Sequence, residues 1–202
     1  MKNIIENSLN IAISYQTYRK LVSELLKNGK STGNNQSDDL LQYSKLSNSR
    51  MKRLDKTIQV PHKYLEVLQS LEQKYTWLVI TEGWCGDASQ VLPVLNKIAE
   101  TSENIDLKII LRGENDALMQ QFLTNGNKAI PKLIAIDFET KEVLFTWGPR
   151  PKEIAEMVKT QKEKFGVLDI DFKKKLQLWY NSNKGVAIID ELLGLLAVPN
   201  LV

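Results

Sequence analysis

Four short apolar runs set among helical patterns constrain this chain more than anything else in it. WLVIT (Trp77–Thr81), IDLKIIL (Ile105–Leu111), KLIAID (Lys132–Asp137) and EVLFTWG (Glu142–Gly148) have the length and composition of strands. Between the first two lies GDASQVLPVLNKIAE, with Val91, Val94, Leu95, Ile98 and Ala99 at helical spacing. Its Pro93 removes a backbone hydrogen bond and is expected to kink the helix. NDALMQQFLTNG (Asn115–Gly126) reads as a short helix before the third strand, whereas only the turn 138–141 separates the third strand from the fourth. Pro61 can open a helix before the first strand, and PKEIAEMVKTQKEKF (Pro151–Phe165) reads as an amphipathic helix after the last. The order α-β-α-β-α-β-β-α predicts an α/β fold. Strands linked through helices should pair in parallel, and the final tight connection should make one antiparallel pair.

The flanks are helical. Ser14 is placed to cap a helix reaching about Lys27, with Tyr18, Leu21, Val22, Leu25 and Leu26 on one side. GKSTGNNQSDD (Gly29–Asp39) has loop composition and reads as a structural connection rather than a lid over the site described below. A second helix should run from Asp39 to about Thr57 and bury Leu40, Leu41, Tyr43, Leu46, Met51, Leu54 and Ile58. Its Arg50, Lys52, Arg53 and Lys56 suit the negative end of a helix dipole better than a nucleic-acid patch. After residue 165, DFKKKLQLWYNSN groups Phe172, Leu176, Trp179 and Tyr180, and Gly185 separates it from a last helix, VAIIDELLGLL. A length of 202 residues amounts to about 1.3 ordinary domains. The expected division is an N-terminal helical extension (1–57), a central α/β domain (58–165) and a C-terminal helical tail (166–202).

Lys plus Arg total 27 against 24 Asp plus Glu, a net charge of +3, too even to predict a nucleic-acid partner. A single cysteine, Cys85, excludes an intramolecular disulfide, and with a single histidine, His62, the chain offers no Cys/His metal cluster. The most apolar stretch, Val186–Val198, carries Asp190 and Glu191 and is too short for a membrane span. The first twenty residues do not read as a secretory signal, and cysteine usage fits a reducing compartment, so the expected location is the cytoplasm.

Chemistry concentrates in EGWCGDASQVLP, which leaves a buried strand and opens a helix. Unpaired backbone N–H groups and the positive end of the dipole favour an anion there, so the Cys85 thiol is expected to have a lowered pKa. Trp84 would shield one side of the sulfur, and Gly86 lets the backbone turn.

These residues resemble the thioredoxin superfamily, whose pattern is W-C-G-P-C followed after four residues by a proline. Trp84, Cys85 and Gly86 match, and Pro93 matches the helix proline. Asp87 replaces the motif's proline, and Ala88 its second cysteine. Pro131, after Ile130, falls where the family has its cis-proline, and Gly148 where the family has a glycine beside the active site. WCGDA with LRGEN, NGNKAIPK and WGPRP is similar to a bacterial group of thioredoxin-like proteins with one active-site cysteine. The resemblance covers 58–165. It implies a thioredoxin fold, a central mixed sheet of about four strands flanked by helices, here with helical extensions at both ends. It also implies that a cis Pro131 turns the Ile130 backbone toward Cys85, leaving it free to pair with an extended peptide.

The departures decide the expected activity. Ala88 cannot resolve a mixed disulfide, and the family's buried strand aspartate is Val79 here. What remains is monothiol exchange, in which Cys85 attacks a disulfide or peroxide and an external thiol such as glutathione regenerates it. No bound cofactor is implied. The alternative is a non-catalytic thioredoxin-fold module that binds an extended peptide or a partner protein. Partners would be protein or small-molecule thiols and disulfides, with oligomeric state unspecified. Asp87 either stabilises the helix N-terminus or acts on the thiol proton. Arg112 is the favoured cation for Asp87 or Cys85, ahead of Arg150 and Lys132. Trp147 either walls the groove or fills the core. His62 is far in sequence from Cys85 and is not expected to act on it.

Overall fold

The computed structural model describes residues 2–197. Its helices are α1 (Lys2–Ile11), α2 (Tyr15–Lys27), α3 (Asp38–Thr57), α4 (His62–Gln69), α5 (Ala88–Thr101), α6 (Asp116–Gln121), α7 (Lys152–Phe165), α8 (Ile170–Asn183) and α9 (Val186–Leu196). The strands are β1 (Ile13–Ser14), β2 (Tyr75–Thr81), β3 (Ile105–Leu111), β4 (Lys132–Asp137) and β5 (Val143–Trp147). They form one sheet in the order β1-β3-β2-β4-β5. β2 lies at its centre, and all seven of its residues are buried, as a strand covered on both faces requires. β2 and β3 are parallel, and β4 and β5 form the antiparallel hairpin. These four strands are the mixed sheet of a thioredoxin fold.

Two features of the sheet depart from the sequence reading. β4 follows a helix, yet it runs antiparallel to β2. A parallel strand needs a crossover that returns the chain to the opposite end of the sheet. Here Thr81 pairs with Leu111 at the end of β3, and the neighbouring Ile80 pairs with Lys132 at the start of β4. The connection between β3 and β4 therefore begins and finishes at one end of the sheet, and β4 can only run back. The second feature is β1, which pairs antiparallel with β3 through Ile13 and Ser14 and covers an edge that would otherwise expose unpaired backbone groups. Ser14 also caps α2, accepting a hydrogen bond from the Thr17 N–H at 3.1 Å.

α5 is the other half of the scaffold. Its residues from Ala88 to Leu95 are all buried, and α3, α4 and α9 pack around it. Pro93 sits inside this helix. The main core joins both extensions to the sheet: Ile5, Tyr18 and Val22 come from the N-terminal side, Trp77, Ile109 and Ile134 from the strands, and Ile188, Ile189 and Leu192 from α9. Full burial of each such side chain contributes about 1.5–3 kcal/mol. A smaller apolar cluster stands apart, made by Ile154 and Val158 of α7 with Phe172, Leu176 and Tyr180 of α8.

The buried face of α3 follows the expectation at Met51, Leu54 and Ile58 but not in its first half, where Leu40 and Leu41 are only half-buried. Tyr43 and Leu46 are exposed, and Ser44, Ser47, Asn48, Met51 and Leu54 point inward. Small polar side chains let the helix approach closely, and each finds a partner. Ser44 shares a 2.6 Å hydrogen bond with Ser31, and Asn48 accepts one of 2.8 Å from Arg19.

Candidate active site

The turn after β2 is held from several sides. The Cys85 N–H donates to the Glu82 carbonyl at 3.1 Å, and the Cys85 carbonyl accepts from the Ser89 N–H at 3.1 Å and from the Ser47 hydroxyl at 3.4 Å. Glu82 is buried, 2% exposed. Its carboxylate accepts from the Thr32 hydroxyl at 2.5 Å and from the Gly113 N–H at 2.7 Å. The Thr32 hydroxyl oxygen accepts in turn from the Gly83 N–H at 2.7 Å. The loop 29–37 is thereby tied to the carboxylate three residues ahead of Cys85.

Cys85 sits just before α5 and is 7% exposed. Its thiol donates to the Ile130 carbonyl at 3.3 Å, and the Ala88 N–H points at Sγ from 3.4 Å. The Ile130–Pro131 peptide bond is cis, as is Gly148–Pro149. Gly148 has φ +107°, and a Cβ there would strike the Pro131 carbonyl oxygen. The glycine is what allows the two loops to touch.

The thiol is not activated as the sequence suggested. Burial, reinforced by the charge of Asp87, pushes its pKa up to about 12. The N–H groups of Ala88 and Asp87 and the Arg150 guanidinium pull the other way and lose.

Asp87 occupies the N-cap position of α5, but its side chain makes no capping hydrogen bond. The carboxylate meets Arg150 instead, at 2.6 Å, and accepts from the Tyr180 hydroxyl at 3.5 Å. Burial raises the Asp87 pKa against the opposing influence of Arg150, Tyr180 and Arg50. Burial alone would lower the Arg150 pKa, but the neighbouring carboxylate outweighs it and the net shift is upward.

Arg112, favoured from sequence, goes elsewhere. Its guanidinium lies 5.0 Å from the Trp84 ring centroid and donates to the Lys128 carbonyl at 3.2 Å. Lys132 is buried and donates to Thr124 at 3.2 Å. Trp147 is buried in the main core, and its indole donates to Glu191 at 2.8 Å. Gly86 faces Arg50, whose Nη1 lies 3.8 Å from where a Gly86 Cβ would be. His62 shares a surface cavity with Leu65, Lys184 and Val186, none of which surrounds Cys85.

The structure thus brings together Cys85, Asp87, Ile130, Pro131, Gly148 and Arg150. It adds Ser47 and Arg50 from α3 and Tyr180 from α8. Beside them, Gln90 of α5 donates to Gln177 of α8 at 2.7 Å. No sequence signal linked these residues to the cysteine. Glu82 was detectable, as a charge placed directly after an apolar strand. Among the described residues no group of His, Cys, Asp and Glu could hold a metal ion, and no helix is long and apolar enough to cross a membrane.

No curated protein matches the chain. A crystal structure of a protein of unknown function from Pseudomonas aeruginosa is similar to it, with a TM-score of 0.58 and 21% identity over 91% of this chain and 96% of the other. An HIV epitope scaffold is similar too, with a TM-score of 0.56 and 22% identity over 91% and 97%. At these identities the likeness is one of fold. The sequence pattern of the thioredoxin family matches residues 33–164, well over half of the length, starting in the loop before α3, and the chain belongs to that family.

Proposed function

We propose that this is a thioredoxin-like protein of the single-cysteine kind, in which WCGDA replaces a dithiol motif and Cys85 carries out monothiol exchange. The Cys85 sulfur attacks one sulfur of a disulfide, forming a mixed disulfide and releasing the other sulfur as a thiolate. An external thiol such as glutathione then attacks the mixed disulfide and frees Cys85. Ala88 offers no sulfur for internal resolution. The observation that carries this reading is the position of Sγ, 3.3 Å from the Ile130 carbonyl beside Pro131 and at the mouth of α5. Asp87 is the carboxylate nearest in sequence, and burial raises its affinity for a proton. In this reading it takes the thiol proton as sulfur attacks, and Arg150 holds its orientation. Trp84, Gly86, Ile130, Pro131 and Gly148 frame the substrate, a protein or small-molecule disulfide. A cycle fed by free thiol suits the cytoplasm.

The burial of Cys85 favours a second reading, a thioredoxin-fold module that binds a partner without turnover. A thiol of pKa about 12 holds roughly one thiolate in 10⁵ at pH 7. Reduction of a small disulfide with glutathione present, in the wild type and in Cys85→Ser, separates the two. Monothiol exchange predicts turnover in the wild type that vanishes in the variant. Absence of turnover in the wild type leaves the binding module.

A further inference from the structure

α8 meets its two neighbours through different forces. Toward α7 it offers Phe172, Leu176 and Tyr180, which build the small apolar cluster with Ile154 and Val158. Trp179 adds a 2.7 Å hydrogen bond to Glu153. Toward the cysteine site its contacts are polar. Gln177 accepts from Gln90, the Tyr180 hydroxyl donates to Asp87, and Asn181 accepts from Arg53 of α3 at 2.8 Å. Both ends of α8 are jointed. Gly166 precedes it at φ +74°, and Lys184 and Gly185 follow it at +53° and +83°. Val167 and Ile170 at the leading joint are exposed, whereas Gly185 at the trailing joint is packed against Val94 of α5. Apolar burial holds a helix in place over a wide area, whereas a few hydrogen bonds exchange readily with water.

We infer that α8 is a lid over Cys85, latched to α5 and α3 by Gln177, Tyr180 and Asn181, and that the thiol becomes reachable when the latch opens about the 184–185 joint. The inference rests on Cys85 being the reacting group, and it adds control of access: the resting protein keeps its thiol covered and protonated, and a disulfide substrate gains it only in the open form. Tyr180 is then a latch residue acting through Asp87, and not a catalytic one.

Iodoacetamide labelling of Cys85 in the full chain, followed by mass spectrometry, tests this. Replacing Gln177 by Ala together with Tyr180→Phe removes both hydrogen bonds to α5 and keeps the Tyr180 ring in its cluster. Labelling should accelerate roughly tenfold or more, with the thermal midpoint nearly unchanged. A disulfide formed in the double variant Gln90→Cys and Gln177→Cys should slow labelling of Cys85 at least about tenfold, and reduction should restore it. Labelling of the double variant at the wild-type rate overturns the lid. So does wild-type labelling that follows global unfolding at every urea concentration, because the thiol is then reached only through the unfolded chain. If labelling obeys the latch while no disulfide is ever turned over, the lid stands and the redox reading fails.

Discussion

Two opposing influences act on the Cys85 proton, and their magnitudes explain the outcome. A helix N-terminus is worth up to about 2 kcal/mol to an anion, or roughly one and a half pKa units. Burial of an ionising group can shift its pKa by about 3–5 units the other way. With 7% exposure and Asp87 adjacent, burial wins, and the pKa rises from 9.0 to about 12. The consequence for stability has a definite sign. In the unfolded chain the thiol loses its proton near pH 9, whereas in the native protein it keeps it to about 12. The stabilising contribution is therefore complete below pH 9 and is lost as pH rises through that window, at up to about 1.4 kcal/mol per unit. By pH 10.5 the wild type should have lost about 2 kcal/mol more than Cys85→Ala, read from urea midpoints. Parallel curves for the two proteins would mean that the thiol ionises normally.

Loop 29–37 is anchored to α3 by Ser31 and to the turn after β2 by the Thr32 hydroxyl. Thr32 donates to the buried Glu82 carboxylate and accepts from the Gly83 N–H, so Thr32→Val, nearly the same shape, leaves Glu82 Oε2 without its donor and the Gly83 N–H without its acceptor. Such groups cost about 1–3 kcal/mol each. The variant should lose on the order of 3 kcal/mol in urea unfolding. Ser37→Ala, which removes an exposed cap from α3, should lose only about 1 kcal/mol. Equal losses would mean that the Glu82 knot does not anchor the loop.

The same segments mark how far the sequence could be read. β3 and β4 stand where their apolar runs stand, and Ser14 caps α2 as its position implied, because these signals are local. β1 escaped, since two residues carry no period. The direction of β4 depended on where a connection ends in space. Arg112 and Arg150 are both candidate cations for Asp87 in the sequence, and only three-dimensional packing sends one to Trp84 and the other to Asp87. The surroundings of the motif have the same origin. Ser47 of α3 donates to the Cys85 carbonyl, Arg50 lies against Gly86, and Tyr180 of α8, almost a hundred residues away, donates to Asp87, and no sequence spacing links them to the cysteine.

The two C-terminal helices have opposite relations to the rest of the protein. α8 rests on α7 and carries the exposed Leu178 on its outer side. α9 is part of the main core: Ile188, Ile189 and Leu192 are fully buried, and Glu191 accepts from the Trp147 indole at 2.8 Å and from the Lys152 N–H at 2.7 Å. Its loss would uncover Val94 of α5, against which Gly185 packs, and would leave the buried Trp147 indole without its acceptor. At about 1.5–3 kcal/mol each, the three side chains alone account for roughly 5–9 kcal/mol, comparable with the 5–15 kcal/mol that typically separates a domain from its unfolded chain. A chain ended after Phe165 keeps every strand of the sheet and every matched motif residue, yet it should not fold. Near-ultraviolet circular dichroism should be flat and urea unfolding should lack a cooperative transition, whereas Leu178→Ala in the full chain should change stability by less than about 0.5 kcal/mol. A truncated chain that unfolds cooperatively would show that the sheet and its own helices suffice, and that α9 only covers a core already closed.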